Sequence, residues 1–454
     1  ALSGMLDEEQ LAAVSERLQS GKPAVVTLPE IPANLEGSLL FKVPVRYGGR
    51  LLAPHLLGYM DGDGLHGLTG VELAFDEYLN SCGGQASVTY SVDAMGKPLQ
   101  GIAPQVVNTL ADAKAGVVLT IDQDIQKIAE EAAKRYMTKG AVVVMEPATG
   151  RIAAMVSLPD FQPGTVADSL DAADSPLLNR ALCNYNLGSV FKITSAAAAL
   201  EKGIPISTAF PCNGSVTIGN VTFHCHNRLG HGTLNMQDGF AQSCNPYFVK
   251  LGQAAGGEQI LGMAKALGFG RSTELAPGLT AAAGTLPTES DLQNLHELAN
   301  FSFGQGKLTA TPVQIAAMVS AVANGGMAVT PKLVLGTTVD GQTVDYQQQP
   351  AAVRVFSEQT AAILREDMIG VVEEGSAPLA KPKEGGAGGK TASAQTGQYD
   401  EEGEEIVHAW FSGFFPAQQP KYAVVILIEG GEFGGQVASP LFQQIVDAYG
   451  PVGE

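Results

Sequence analysis

The chain has 454 residues, too many for one ordinary core, and its 45% hydrophobic and 16% charged content is that of a globular protein of two or three domains. Its 27 basic and 46 acidic side chains give a formal charge of −19, which repels a phosphate backbone and argues against nucleic acid as a partner. No run approaches 18 consecutive apolar residues; the best, AVVILI from Ala423 to Ile428, suits a buried strand rather than a membrane span.

Residues 1–112 read as a separate, smaller, loop-rich module. It carries Pro23, Pro29 and Pro32, the glycines of GYMDGDGLHGLTG between Gly58 and Gly70, and an amphipathic VELAFDEYL from Val71 to Leu79. From Val117 the pattern changes. VVLTID leads into a helical stretch, QDIQKIAEEAAKRYMTKG, with apolar residues at helical spacing and a glycine stop. AVVVM and RIAAMVS then form a hairpin about a turn from Pro147 to Gly150. A long helical middle extends from Ser189 to about Asn324. The C-terminal part supplies three strand-like runs, GGKTASAQTG, HAWFSGFFPA and KYAVVILIEG, and a final amphipathic helix, VASPLFQQIVDAYG. Strands at both ends with helices between predict one mixed sheet assembled from distant segments, an α+β domain over residues 113–454 with a helical subdomain.

The five cysteines are Cys82, Cys183, Cys212, Cys225 and Cys244, too few for a disulfide scaffold and odd in number. Cys212 and Cys225 lie in a loop segment that also carries His224, His226 and His231. A disulfide, a zinc site and unlinked thiols are all open there, and the spacing is wider than in most tetrahedral sites.

In NLGSVFKITSAAAALEKG, from Asn186 to Gly203, Lys192 is the one charge between Ala181 and Leu200, and Ser189 precedes it by three positions. Residues three apart share a helix face, so the hydroxyl and the amine can meet. Burial among apolar groups favours the neutral amine, and a neutral amine can take the serine proton and turn a weak nucleophile into a competent one. The bland alternative is a capping serine and a lysine that snorkels to water. Two further elements follow: S-C-N from Ser243 to Asn245, where a helix leads into a loop, and K-T-A from Lys390 to Ala392, opening a strand.

S-x-x-K, S-x-N and K-T-G in this order are the three elements of serine–lysine acyl-transfer sites. With RIAAMVSLPDFQP, LLNRAL, GHGTLN, FGQGKLTATPVQIAA and HAWFSGFFP in sequence, and GLTGVELAFDEYL in the first module, the chain resembles the class B penicillin-binding proteins, the peptidoglycan D,D-transpeptidases, over most of its length. The resemblance implies a penicillin-binding, serine β-lactamase-like domain on an N-terminal pedestal. It implies Ser189 as nucleophile, Lys192 as general base, and Ser243 and Asn245 lining the site. Lys390, Thr391 and Ser393 would bind substrate, with the backbone N–H groups of Ser189 and Ser393 as the oxyanion hole. The implied partners are peptidoglycan stem peptides, β-lactams and a membrane-embedded glycan polymerase, at the outer face of a membrane to which an N-terminal segment absent from this chain anchors the protein. No cofactor is required by this chemistry.

Ala392 departs from the family's usual glycine, and altered β-lactam affinity rather than inactivity is expected from it. Three other readings share the motifs: a D,D-carboxypeptidase, a serine β-lactamase and a catalytically silent wall-assembly scaffold. GGAGGKT is not a phosphate-binding loop, because Glu384 stands where that loop needs glycine and no apolar strand precedes it. Trp410 and His408 are expected to be structural.

Overall fold

The computed structural model describes residues 4–20, 24, 26, 28, 40, 47 and 51–450, apart from 63, 85, 96, 98, 100, 110–113 and 349. Pro23, Pro29 and Pro32 lie outside the described residues. Contacts divide the chain into a small unit of residues 1–49, 78–116 and 338–343 and a large unit of residues 50–77, 117–337 and 344–454, a division that runs differently from a single cut at 112. In the small unit, the helix Glu8–Gln19 starts at a capping box in which Asp7 and Gln10 satisfy each other's backbone N–H groups. Ala86–Thr89 pairs antiparallel with Gln105–Asn108.

The large unit is built on one five-stranded sheet. In chain order its main elements are helix α1 (Gln123–Tyr136), strands β1 (Gly140–Met145), β2 (Ile152–Leu158) and the short β3 (Tyr185–Asn186), and helix α2 (Lys192–Glu201). Four short strands follow, β4 (Phe210–Cys212), β5 (Ser215–Ile218), β6 (Val221–His224) and β7 (Gly232–Leu234). Then come helices α3 (Met236–Ala241), α4 (Asn245–Ala255), α5 (Gly257–Ala266), α6 (Leu295–Ser302), α7 (Pro312–Ala323) and α8 (Glu358–Glu373). The chain closes with β8 (Gly388–Tyr399), β9 (Glu405–Phe415), β10 (Tyr422–Ile428) and α9 (Gly434–Tyr449).

The sheet order is β8-β9-β10-β1-β2, so the C-terminal strands and the N-terminal hairpin join through β10 and β1. Every pairing is antiparallel, where a mixed sheet was expected: each neighbouring pair, β10–β1 included, meets head to tail. The central strands read as continuous apolar runs because both faces are covered. α1 and α9 pack on one another and on the sheet, with Phe411 of β9 against Phe442 of α9 at 4.5 Å between ring centroids. α7, apolar on all sides and buried almost throughout, lies against β10, β1 and β9, while α2 packs against α4, α5 and α8 to form the helical subdomain. Trp410 is fully buried in β9, as expected of a core residue.

Candidate active site

The turn carrying Ser189 is fixed from three sides. β3 pairs with Thr309–Ala310, the Trp410 indole N–H donates to Asn186 O at 3.0 Å, and Asn186 Nδ2 donates to Gln395 O at 2.7 Å. Gly188 N–H donates to Gly304 O at 3.0 Å, and a Cβ on Gly304 (φ 93°) would fall 1.9 Å from Gly188 O, so this approach requires glycine. Ser189, half-buried, therefore stands in the one-turn 3-10 helix Gly188–Phe191 that runs directly into α2 at Lys192.

Lys192 is fully buried. Its Nζ lies 2.7 Å from Asn245 Oδ1, 2.8 Å from Ser243 O and 3.3 Å from Ser243 Oγ; a hydrogen bond to Ser189 Oγ is not among these. The expected meeting of Ser189 and Lys192 is thus replaced in the resting site by bonds from Lys192 to the second motif. Burial pushes the Lys192 amine down from its ordinary value to about 7.

Ser243 sits between α3 and α4 in the left-handed region, φ 50°, which a residue with a side chain rarely adopts. Such strain persists only where surroundings impose it, and here it turns Oγ between two lysines: Lys390 Nζ is at 2.9 Å. Asn245 opens α4, accepting from Lys192 and donating through Nδ2 to His224 O at 3.2 Å, so both ends of its amide are assigned by their partners.

Lys390 is also fully buried, donating to Ser243 Oγ and to Thr391 O at 3.0 Å, and burial together with the nearby Lys192 lowers its pKa well below the ordinary lysine value. Ser243 Oγ can accept from one ammonium and donate to one neutral amine. The three groups can therefore share and pass a proton without any one being left unpaired.

β8 is the edge strand of the sheet, and its outer edge faces this cluster. Gln395 O is taken by Asn186 rather than by β9, so it points outward. Backbone groups of residues two apart point the same way, which aims the Ser393 N–H at that same edge, towards the segment leading to Ser189. Thr391 Oγ1 lies 3.2 Å from Ser376 Oγ, which adds a residue that no sequence motif marked.

The Ala392 side chain is buried rather than turned to the open edge. A Cβ placed on Gly188 would come 3.3 Å from the Ala392 methyl and 3.2 Å from that of Ala394, so the two alanines form the floor beneath the serine turn. Ala392→Gly removes a buried methyl and loosens a strand, and should cost about 1–2 kcal/mol of stability. Because the methyl lies off the outer edge, the reactivity of Ser189 should change by less than about tenfold. Urea unfolding and adduct kinetics on the same preparation measure both.

Behind the turn, Glu429 Oε1 accepts from Tyr185 Oη at 2.6 Å and from Arg180 Nε at 2.9 Å, which raises the Tyr185 phenol by burial first and by the carboxylate second. His408 packs edge-on against Tyr185, and its buried Nδ1 has no hydrogen-bond partner among the described residues.

Beside the second motif, Cys212, Cys225, His231 and Cys244 converge, their ligand atoms all within 4.8 Å of one another. All five cysteines are free thiols, so Cys212 and Cys225 are not disulfide-bonded. His224 is exposed and stands outside the cluster; His226, also exposed, is not one of the four, but its Nδ1 lies 3.9 Å from Cys225 Sγ at the rim, and Cys244, from the middle of S-C-N, completes the set.

A sheet with a lysine-bearing edge strand, set against a serine and lysine at the start of a buried helix, defines the penicillin-recognising class of serine folds. The profile of the penicillin binding protein transpeptidase domain matches residues 140–447, and the chain belongs to that family. It is 33% identical to stage V sporulation protein D of Bacillus subtilis over 86% of this chain and 61% of that protein. It is 32% identical to the peptidoglycan D,D-transpeptidase PbpA of Mycolicibacterium smegmatis over 74% of this chain and 73% of that one. The chain thus spans about three fifths of the Bacillus relative's length. Among solved structures, the D,D-transpeptidase domain of a peptidoglycan glycosyltransferase from Eggerthella lenta superposes with a TM-score of 0.72 at 27% identity, covering 88% of this chain and 90% of that one. The ceftriaxone acyl-enzyme of penicillin-binding protein A from M. tuberculosis gives 0.74 at 26%, covering 87% and 90%.

Proposed function

We propose that the protein is a peptidoglycan D,D-transpeptidase that works through an ester on Ser189. The observation that carries this is the fully buried Lys192, held by Ser243 and Asn245 with its amine near neutrality, one helical turn from a serine at the foot of an open sheet edge. Ser189 Oγ attacks the carbonyl carbon between the two terminal D-alanines while its proton passes to neutral Lys192. Hydrogen bonds of this kind are often long in a resting enzyme and tighten with substrate bound. The oxyanion that forms is met by the N–H groups of Ser189 and Ser393, fixed before the charge appears. Collapse breaks the C–N bond, and the leaving nitrogen takes its proton from Lys192 through Ser243, with D-alanine departing. Asn245 holds the peptide amide. Lys390 and Thr391 set the charge and hydroxyl for the terminal carboxylate, and the edge of β8 pairs with the peptide as an added strand. An amine from a neighbouring stem then attacks the ester, restoring Ser189.

A lysine base with a pKa of about 7 gives a clear pH dependence. The reactive form is the neutral amine, so acylation by penicillin should be flat above about pH 8 and fall about tenfold per unit below about pH 6. Acylation rate constants between pH 5 and 9 check this, and a rate independent of pH across that range would remove Lys192 as the base.

The same reading sets residues 1–112 as a pedestal and the chain at the outer membrane face, with an N-terminal anchor and a membrane-embedded glycan polymerase as partner. Family membership is its support. Among the described residues no helix is long and apolar enough to cross a membrane. The reaction is tested with a donor peptide ending in D-Ala-D-Ala and a stem-peptide amine acceptor: cross-linked product and free D-alanine in equal amounts are expected. D-alanine release with hydrolysed donor alone, at any acceptor concentration, would overturn transpeptidation.

A further inference from the structure

Four potential metal ligands from four separate stretches of chain meet beside the second motif. Cys212 ends β4, Cys225 follows β6, His231 precedes β7 and Cys244 caps α4. The three thiols are buried, at 1% exposure or less. Cys225 Sγ and Cys212 Sγ lie 3.5 and 3.7 Å from His231 Nδ1. Bond lengths of about 2.3 Å to sulfur and 2.0–2.1 Å to nitrogen at a tetrahedral zinc put an S···N edge at about 3.6 Å, so both edges already have the length a bound ion would impose. The backbone holds the ligand residues in place: Cys225 N–H donates to Gly214 O, His231 N–H to Cys212 O and Cys244 N–H to Gly239 O, at 2.9–3.0 Å. A disulfide could use only two of the three sulfurs, and the cysteines are free.

We infer that Cys212, Cys225, His231 and Cys244 form a tetrahedral zinc site that clamps the S-C-N motif. Three thiolates and one imidazole are soft, nitrogen- and sulfur-only donors, the chemistry that suits zinc and not magnesium or calcium. Four protein ligands close the coordination shell, so the ion is structural and offers no position for water or substrate. Its consequence follows from chain connectivity. Cys244 lies between Ser243, strained at φ 50°, and Asn245, whose side chain also bonds the loop of Cys225 at His224 O. An ion gripping Cys244 and Cys225 holds both motif residues in the geometry Lys192 needs. Metal binding stands apart from the proposed reaction, while its effect on acylation rests on it.

The test is elemental analysis and native mass spectrometry of the full chain purified in the presence of zinc, with X-ray absorption at the zinc edge, followed by Cys225→Ser, Cys212→Ser and, as control, Cys82→Ser. The expected result is one zinc per chain with three sulfur neighbours and one nitrogen, kept in the Cys82 variant and lost in the other two. Stripping it with a strong chelator should lower the melting temperature and slow penicillin acylation by about 10–100-fold, the scale of an ångström-sized misplacement. Wild-type protein carrying less than about a tenth of a zinc per chain, or a Cys225→Ser variant that keeps it, overturns the site. A Cys212–Cys225 disulfide in metal-free protein overturns it as well. If zinc is bound as stated but penicillin leaves no adduct, the site stands and the transpeptidase reading falls.

Discussion

Ser189→Ala should abolish the covalent penicillin adduct while leaving the fold intact. Wild-type protein incubated with a penicillin should gain one drug mass in intact-protein mass spectrometry and keep it over hours; the variant should gain none. The effect is the largest available because alanine removes the one oxygen that forms the ester, and no neighbouring group can replace it. Ser189 is half-buried in a turn held through Gly188, Asn186 and Trp410, none of which uses its hydroxyl, so the melting temperature should stay within a few degrees. Rapid loss of the wild-type adduct would mark a β-lactamase instead. An adduct that persists in Ser189→Ala would place the nucleophile elsewhere.

Lys192→Met should slow acylation by about 10²–10⁴-fold, the range that general-base groups contribute. Methionine fills the same buried, unbranched space, so the loss belongs to the amine and not to a cavity. Two effects on stability oppose each other. Removing a fully buried amine relieves its desolvation, but Ser243 O and Asn245 Oδ1 lose their donor, at a cost of about 1–3 kcal/mol each for an unsatisfied buried acceptor. Thermal unfolding measured beside the acylation rate separates chemistry from fold. A variant that acylates within threefold of wild type would show that Lys390, through Ser243, supplies the base.

The resting geometry gives both predictions a common logic. Lys192 and Lys390 converge on Ser243 Oγ at 3.3 and 2.9 Å, and two ammonium groups so close in a buried site repel. Burial and that repulsion both favour at least one neutral amine, which is the form the proton transfer uses.

Much of this was legible in the chain itself. The motif triplet named Ser189, Lys192, Ser243, Asn245, Lys390 and Thr391, and the fold brings Lys192, Ser243, Asn245 and Lys390 into one bonded cluster next to the serine turn. The hairpin Gly140–Met145 and Ile152–Leu158 and the helix Gln123–Tyr136 followed from periodicity and capping, both local properties. Register and pairing did not, since strand direction depends on partners hundreds of residues away; that is why the sheet turned out antiparallel where a mixed one was expected. Ser376 and Asn186 were invisible for the same reason: nothing in their neighbours marks a contact with a distant strand.

The cysteines divide the two sources of information most clearly. Composition and spacing determined that the chain is globular, acidic and built around a serine–lysine site, because side-chain chemistry and short-range order are written residue by residue. Only the tertiary structure decided that Cys244, the centre of S-C-N, joins Cys212, Cys225 and His231 while His224 turns to solvent and His226 stays at the rim beside Cys225. It also decided that Lys192 reaches the second motif before it reaches the serine three residues away. Helix geometry sets which residues can meet, but burial decides which contacts form, because a buried amine takes every acceptor that the surrounding chain brings within reach.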